Sequence, residues 1–233
     1  MRNLILTILI LTGQFCFGQK REFSFQVNSG LFSFGGELAS STSFMNISDV
    51  RNISDYTNNP YGSNSSFSYG VGVQFQQLTS NNFIYGLQLS YESLSSKLTI
   101  DNAYGEITWS VKDGKTILTN NFINLFPSIG QRFKILNGLE SDLLFGFDFG
   151  IGLSSIEKYS LTSNQGHGIS GTNEREIPNI DFRPRIEFIN YYKNFGLSIG
   201  YSYGLTNYQS GLDGGDKEAK ARYPRFGLNY RLR

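Results

Sequence analysis

Four ionic side chains occupy alternate positions in IDFRPRIEF, residues 180–188: Asp181, Arg183, Arg185 and Glu187. Carboxylates and guanidiniums on one side of an extended segment suit charge-assisted hydrogen bonding, the chemistry of an ion network or a polar pathway. Residues for covalent chemistry are scarcer. The only histidine, His167, sits in SNQGHGIS near Ser163 and Ser170, a His–Ser combination that nucleophilic catalysis would need. A loop histidine without a catalytic part is the simpler reading, and no catalytic residue is assigned. GLDGGD at 211–216 brings Asp213 and Asp216 together with free backbone groups, as an ion-binding turn would; a loop tip has the same composition. No pair of His, Cys or carboxylate positions shows metal-ligand spacing. The sequence therefore predicts no metal, no cofactor and no enzyme.

The elements that carry these charges are marked by period-2 alternation, the signature of strands. In LLFGFDFGIGLS, residues 143–154, the odd positions are Leu143, Phe145, Phe147, Phe149, Ile151 and Leu153, and the even ones include Gly146, Asp148, Gly150 and Gly152. The same pattern sets Phe23, Phe25, Val27 and Leu31 against Ser24, Gln26, Asn28 and Gly30 in 22–33. It sets Phe67, Tyr69, Val71, Val73 and Phe75 against Ser68, Gly70, Gly72, Gln74 and Gln76 in 67–76. It recurs in 83–92, more loosely in 119–133 (Ile123, Leu125, Pro127, Ile129, Phe133), and in 180–188, 195–205 and 224–232. That makes eight strands, with no segment of helical periodicity.

The connections alternate as well. Those at Thr79–Asn82, Ile135–Leu139 and Tyr192–Asn194 are tight, while 34–66, 97–116, 157–177 and 206–222 are long and polar. Short turns on one side and long loops on the other are what a meander shows when it crosses a bilayer. Each run has the ~9–11 residues a tilted spanning strand needs, and lipid requires the sheet to close so that every backbone group is paired. The predicted fold is all-β: an eight-stranded antiparallel up-and-down transmembrane β-barrel whose interior is filled by side chains. The bulky face turns to lipid. An arginine on that face near the midplane costs about 2–4 kcal/mol, so the ionic residues turn inward as a lumenal charge network of Glu92, Asp148, Asp181, Arg183, Arg185, Glu187, Arg225 and Arg231. Tyrosines near strand ends (Tyr69, Tyr85, Tyr91, Tyr191, Tyr192, Tyr201, Tyr203, Tyr223, Tyr230) fit interfacial girdles. A soluble barrel or sandwich would reverse the faces; loop asymmetry and strand length favour the membrane.

Composition agrees. Twenty basic against 19 acidic residues give no field for nucleic acid, and a hydrophobic content of 39% with a mean hydropathy of −0.25 excludes a helical membrane protein. The N-terminus, MRNLILTILILTGQFCFGQK, predicts a signal peptide over 1–18: Arg2 supplies the positive end, Leu4 to Leu11 the apolar stretch, and Cys16 and Gly18 the small residues before cleavage. A lipoprotein signal acylated at Cys16 is the rival, and bulky Phe15 argues against it. Cleavage removes the only cysteine and leaves 19–233 as the barrel domain. Asn46-Ile-Ser48, Asn52-Ile-Ser54 and Asn64-Ser-Ser66 match the N-glycosylation pattern by composition.

With Gln19 following the signal ending FGQ, amphipathic strands throughout and the last strand YPRFGLNYRLR, the whole mature chain resembles the small outer-membrane β-barrel (porin-family) proteins of Bacteroidota. These are similar in architecture to enterobacterial eight-stranded barrels. The resemblance implies a Gram-negative cell outer membrane, outer-membrane lipid as surroundings, and the barrel-assembly machinery as a partner in biogenesis. Such barrels tend to end on an aromatic residue; here the chain ends Leu232-Arg233 and Tyr230 is the nearest, which puts the assembly signal in doubt. The expected role is envelope-structural or surface interaction through the long loops, whose ligand the sequence does not name. A narrow porin, a lipid-modifying enzyme using His167, and a soluble periplasmic ligand-binding barrel are the alternatives.

Overall fold

The structure is a computed structural model that describes residues 20–48, 54–105, 108–210 and 217–232. The expected signal at 1–18 with Cys16, the site at Asn52, and the GLDGGD turn lie outside the described residues. Eleven strands form one sheet: β1 (Lys20–Gly35), β2 (Thr42–Asn46), β3 (Tyr56–Thr57), β4 (Asn64–Leu78), β5 (Phe83–Tyr104), β6 (Trp109–Leu136), β7 (Leu139–Ser163), β8 (Gly168–Arg175), β9 (Ile180–Tyr192), β10 (Phe195–Tyr203) and β11 (Lys220–Leu232). The described residues thus hold eleven strands where the sequence predicts eight. Eight of them form a cycle of antiparallel pairs, β1–β4–β5–β6–β7–β9–β10–β11 and back to β1. The eight alternating segments of the sequence lie in these ring strands.

Three tight turns close one end, at 79–82, 137–138 and 193–194. Gly138, Asn82 and Lys193 take left-handed φ of 84°, 61° and 55°. Glycine meets no Cβ penalty there and asparagine little. Lys193 is held by its backbone N–H, which donates to the Gly138 carbonyl at 2.7 Å.

The other end differs from the loops expected there. β5 and β6 continue their ladder to Ala103 and Trp109, and β6 and β7 continue theirs to Val111 and Ser163. β7 then turns back into β8, while β2 runs parallel to β5 and carries β3. Stretches read as loops at 97–116 and 157–177 are thus largely strand, and an open six-stranded sheet, β3-β2-β5-β6-β7-β8, projects beyond the ring.

The faces follow the pleat. Along β7, Phe145, Phe147, Phe149, Ile151 and Leu153 are exposed on the outer wall, whereas Leu144 and Asp148 are fully buried within. Across β5, β6 and β7 the outer rungs read Leu89–Leu125–Phe149, Tyr91–Ile123–Ile151, Ser93–Asn121–Ser154, Ser95–Thr119–Ile156, Lys97–Ile117–Lys158 and Thr99–Lys115–Ser160. The outer face therefore turns from apolar to polar within two rungs. The inner face of β5 grows more apolar, as Gln88, Ser90 and Glu92 give way to Leu94, Ser96, Leu98 and Ile100, while Thr116, Asn120, Ser155 and Glu157 are buried on the facing strands. A register shift between Asn121 and Phe122, opposite Ser154 and Gly152, inserts Leu153 as an extra residue. This bulge reverses the parity of β7, so that Ser155, Glu157, Tyr159 and Leu161 become the buried set. Apolar clusters sit at both ends of the ring interior. Leu78, Ile84, Leu144, Ile189 and Tyr191 lie toward the tight turns; Phe32, Phe34, Leu94, Leu118, Phe122 and Tyr223 lie toward the projecting sheet, joined by Tyr61 and Tyr208 from the connections. A third, with Met45, Leu98, Ile100, Tyr159 and Leu161, is the core of the projecting sheet.

Candidate functional site

The polar interior of the ring is built by β9 and its neighbours. Phe182, Pro184, Ile186 and Phe188 take the outer side of β9, so Asp181, Arg183, Arg185 and Glu187 project inward and are buried. Asp148 stands directly opposite Arg183. Gly146, opposite Arg185, leaves room that a Cβ would fill, 2.9 Å from the Phe126 ring.

Around Asp148 the side chains form one connected cluster. Arg225 donates through Nη1 to Glu92 Oε1 at 2.8 Å and through Nη2 to Asp148 Oδ2 at 3.0 Å and Ser202 Oγ at 2.9 Å. Arg183 Nη2 donates to Glu92 Oε2 at 2.8 Å, and its Nε lies 3.4 Å from Asp181 Oδ2. Arg185 reaches Glu187 Oε1 at 2.6 Å and Asp148 Oδ1 at 3.3 Å. Asn124 and Ser202 also donate to Asp148, at 2.8 and 2.7 Å. Four carboxylates thus share three guanidiniums.

Of the residues proposed from sequence, seven meet here and Arg231 does not. Arg231 belongs to a second cluster nearer the tight turns, with Glu22, Arg132, Glu140 and Asp142. Arg132 grips Asp142 bidentately, Nε–Oδ1 at 2.6 Å and Nη2–Oδ2 at 2.8 Å, and bonds Glu22 at 2.8 Å. Arg231 reaches Glu140 at 2.7 Å and Asp142 and Glu22 at 3.1 Å. The sequence reading missed Glu22, Arg132 and Asp142, although Glu22 has the parity of Ser24 and Gln26 and Arg132 that of Asn124 and Ser128.

Four of the five guanidiniums also cover an aromatic face: Arg231 on Tyr191 at 3.4 Å, Arg185 on Phe126 at 4.1 Å, Arg225 on Tyr223 at 4.5 Å and Arg183 near Phe122 at 5.7 Å. Weakly hydrated, planar arginine suits such stacking where lysine does not. Tyr191 and Tyr223 are therefore interior residues, not members of an outer girdle; both are fully buried, each in parity with its strand's inward ionic residues. Tyr69, Tyr85, Tyr192, Tyr201, Tyr203 and Tyr230 are exposed on the outer wall. Phe147 and Phe182 stack there as neighbours, ring centroids 5.0 Å apart, while Arg183 is sealed inside.

Phe34 seats edge-on between Tyr61 and Tyr208 above the ring interior. Tyr208 donates to Asp181 Oδ2 at 2.7 Å; burial first, and the Asp181 charge second, push its phenol well above the usual tyrosine range. Tyr61 donates to the Tyr208 carbonyl at 3.2 Å, and burial raises it too. Farther out, Glu157 joins β7, β8 and β3: it accepts from Arg175 Nε at 2.6 Å and the Thr57 amide at 3.2 Å, and Arg175 Nη2 also bonds the Thr57 carbonyl. Beside it, Tyr56, Thr172, Glu174 and Arg175 line a polar hollow of about 310 Å³.

His167 lies exposed at the tip of the β7–β8 turn. Ser163 Oγ accepts from the backbone amides of Gln165 and His167, at 3.2 and 3.1 Å, and so serves the turn. The tip stands about 33 Å of strand beyond Leu153, at ~3.3 Å per residue. Ser170 is exposed on β8 opposite Ser160. These positions suit a hairpin tip better than an ester-cleaving site at a lipid surface.

No protein-family model and no curated protein sequence matches the chain. Among solved structures it is similar to Ail, the attachment invasion locus protein of Yersinia pestis, at 14% identity and a TM-score of 0.37, over 91% of this chain and 99% of that one. It is also similar to Neisserial surface protein A, NspA, at 11% identity and a TM-score of 0.39, over 90% and 97%, and to the P. putida toluene transporter TodX, at 8% and 0.27, over 92% and 89%.

Proposed function

We propose that the chain is an integral barrel of a Gram-negative outer membrane, of the kind found in Bacteroidota, exported on residues 1–18. Its eight ring strands cross the bilayer around a filled interior. Its role is non-enzymatic, in envelope structure or surface interaction, carried by the sheet that projects beyond the membrane. Outer-membrane lipid and, during biogenesis, the barrel-assembly machinery are its partners.

One observation carries this reading: the outer face turns from apolar to polar at the Ser93–Asn121–Ser154 rung while the strands run on. Below it the wall is apolar outside and holds the ion clusters within; above it the outer face is largely hydroxylated and charged, while the inner face mixes Leu94, Leu98, Ile100 and Leu161 with Ser96, Thr116, Asn120 and Glu157. A soluble fold has one solvent and no cause to turn a continuous outer face from apolar to charged midway along its strands. A bilayer edge supplies the cause. The apolar span of β7, residues 143–153, measures about 33 Å of strand and roughly 23 Å of height at a ~45° tilt, close to the ~25 Å apolar band of such barrels.

The test is cell fractionation followed by gel electrophoresis with and without boiling. The protein should partition with the outer membrane, require detergent, and run compactly until boiled. Release in osmotic-shock fluid without detergent would overturn the reading. A narrow pore is the second reading, favoured by the amide atoms of Gln74, Asn120 and Asn229, which are buried without a protein partner and offer sites for water. Steady single-channel steps in planar bilayers would establish it; the filled interior predicts none.

A further inference from the structure

We infer that Lys97, Lys115 and Lys158 form a docking surface for the phosphorylated headgroup of a glycolipid, on the outer wall just beyond the apolar belt. This inference rests on the membrane-spanning reading above. Lys97 and Lys158 flank Ile117 in one rung, and Lys115 stands in the next between Thr99 and Ser160. All three are exposed. Diagonal neighbours on adjacent strands are ~7–8 Å apart, and like charges so placed repel. Among the described residues the lysine ion pairs are Lys20 with Glu22 and Lys220 with Glu218; these three lysines form none. Exposed Asp101 and Asp113 follow them farther from the belt, and Glu174 stands nearer it, opposite Ile156.

Three cations fixed on a rigid ladder call for an anion, and the surrounding side chains describe its kind. Ile117 lies at the centre of the triad, and Ile156 and Leu153 continue an apolar track down to the belt. Ser95 and Thr119, hydrogen-bonded to each other at 2.9 Å, and Thr99, Ser160 and Thr172 add hydroxyls around it. An amphiphile fits: acyl chains on the belt, polar hydroxylated body on the rim, phosphates at the lysines. Height selects the headgroup. The lysine rung is three rungs above Tyr91–Ile123–Ile151, about 20 Å of strand or roughly 14 Å of height at a ~45° tilt. A phospholipid headgroup layer is only about 5–8 Å deep, whereas phosphates borne on sugars stand higher.

The experiment uses the full chain refolded in zwitterionic micelles and native mass spectrometry of retained lipid. The probes are a bis-phosphorylated, acylated glucosamine disaccharide, its dephosphorylated analogue, and inorganic phosphate as competitor. Removing the phosphates, or making K97Q/K115Q/K158Q, should lower apparent affinity on the order of 100-fold, at roughly fivefold per lysine near an anionic surface. The distant pair K134Q/K193Q should stay within about twofold. Relief of repulsion should leave the triple variant's urea midpoint no lower than wild type's. Equal retention by the triple variant and wild type overturns the inference, and so does displacement of the glycolipid by equimolar inorganic phosphate. Insertion into phosphatidylcholine vesicles, read as a compact unboiled band, is measured on the same preparations. Failure of wild type to insert overturns the membrane reading and this inference together; insertion with unchanged lipid retention overturns this inference alone.

Discussion

Removing Arg225 should damage the protein more than neutralising Asp148, although the two touch. Arg225→Met takes away the contacts to Glu92 at 2.8 Å, Asp148 at 3.0 Å and Ser202 at 2.9 Å. It leaves four carboxylates facing Arg183 and Arg185 alone. Breaking a buried pair by deleting one partner costs about 3–5 kcal/mol, and these groups have no exposure through which bulk water screens them. Asp148→Asn moves the count the other way, to three carboxylates and three guanidiniums. Its amide oxygen can still accept from Arg225 and Ser202, while its NH2 confronts the donors of Asn124 and Arg185, for a loss of about 1.5–3 kcal/mol. In the double variant the carboxylate orphaned by Arg225→Met is itself gone, so the combined cost should fall short of the sum by about 1.5–3 kcal/mol. Urea titration in zwitterionic vesicles, read as the loss of the compact band on unboiled gels, measures all four corners of the cycle. Arg225→Met within ~0.5 kcal/mol of wild type, or a cycle that closes additively, would refute the shared-cluster argument.

Three further outcomes follow from the same geometry. Phe147→Arg should cost about 2–4 kcal/mol in vesicles because the proposed belt sets it in hydrocarbon, whereas Ile156→Arg, one rung above the belt's edge and opposite Glu174, should cost under ~0.5 kcal/mol; equal costs would contradict the placement of the belt. Because folding raises the Tyr208 pKa, the unfolded phenol ionises first, near 10, and stability should fall above that pH by about 1.4 kcal/mol per unit for this residue. Tyr208→Phe should flatten that part of the slope between pH 10 and 11, and an unaltered urea-midpoint slope would show that the phenol does not stay protonated. His167→Ala should leave the host's lipid A profile unchanged in mass spectrometry, and a changed profile would restore the enzymatic alternative.

The residues of the ring wall were legible because alternation survives wherever one face is bulky and apolar and the other small, polar or ionic. Phe23 to Leu31, Phe145 to Leu153 and Ile180 to Phe188 say so with side-chain chemistry alone. What hid the projecting sheet was the polarity of its outer face. In KLTIDNAY, residues 97–104, the alternation is intact, but Lys97, Thr99 and Asp101 are outside and Leu98 and Ile100 inside, so the polar half read as loop. The bulge at Leu153 reversed the parity of β7 without any composition signal. The second ion cluster was hidden by distance: Glu22 and Arg132 meet across 110 residues. The looseness of 119–133 had a physical source too, since Phe122 and Phe126 face inward to carry arginines and blur the contrast between faces.

An ionic interior does something that an apolar wall cannot. In the proposed membrane, sliding β9 by one residue against β7 would turn Arg183 and Arg185 into lipid, at about 2–4 kcal/mol each, a large part of a typical total stability of ~5–15 kcal/mol; the faces alone forbid that error. Sliding it by two restores every face, and lipid is as content with Ile186 beside Phe147 as with Pro184. Only the interior resists. Arg183 would leave the rung of Asp148, Glu92 would keep only Arg225 of its two 2.8 Å partners, and in one direction Asp181 would come opposite Asp148, carboxylate against carboxylate. A buried ion pair broken on one side costs about 3–5 kcal/mol, whereas an apolar interior of equal volume would distinguish the two registers only by packing. The network thus adds little net stability for its size, since each ion was stripped of water to enter it, but it separates the right barrel from its nearest wrong one.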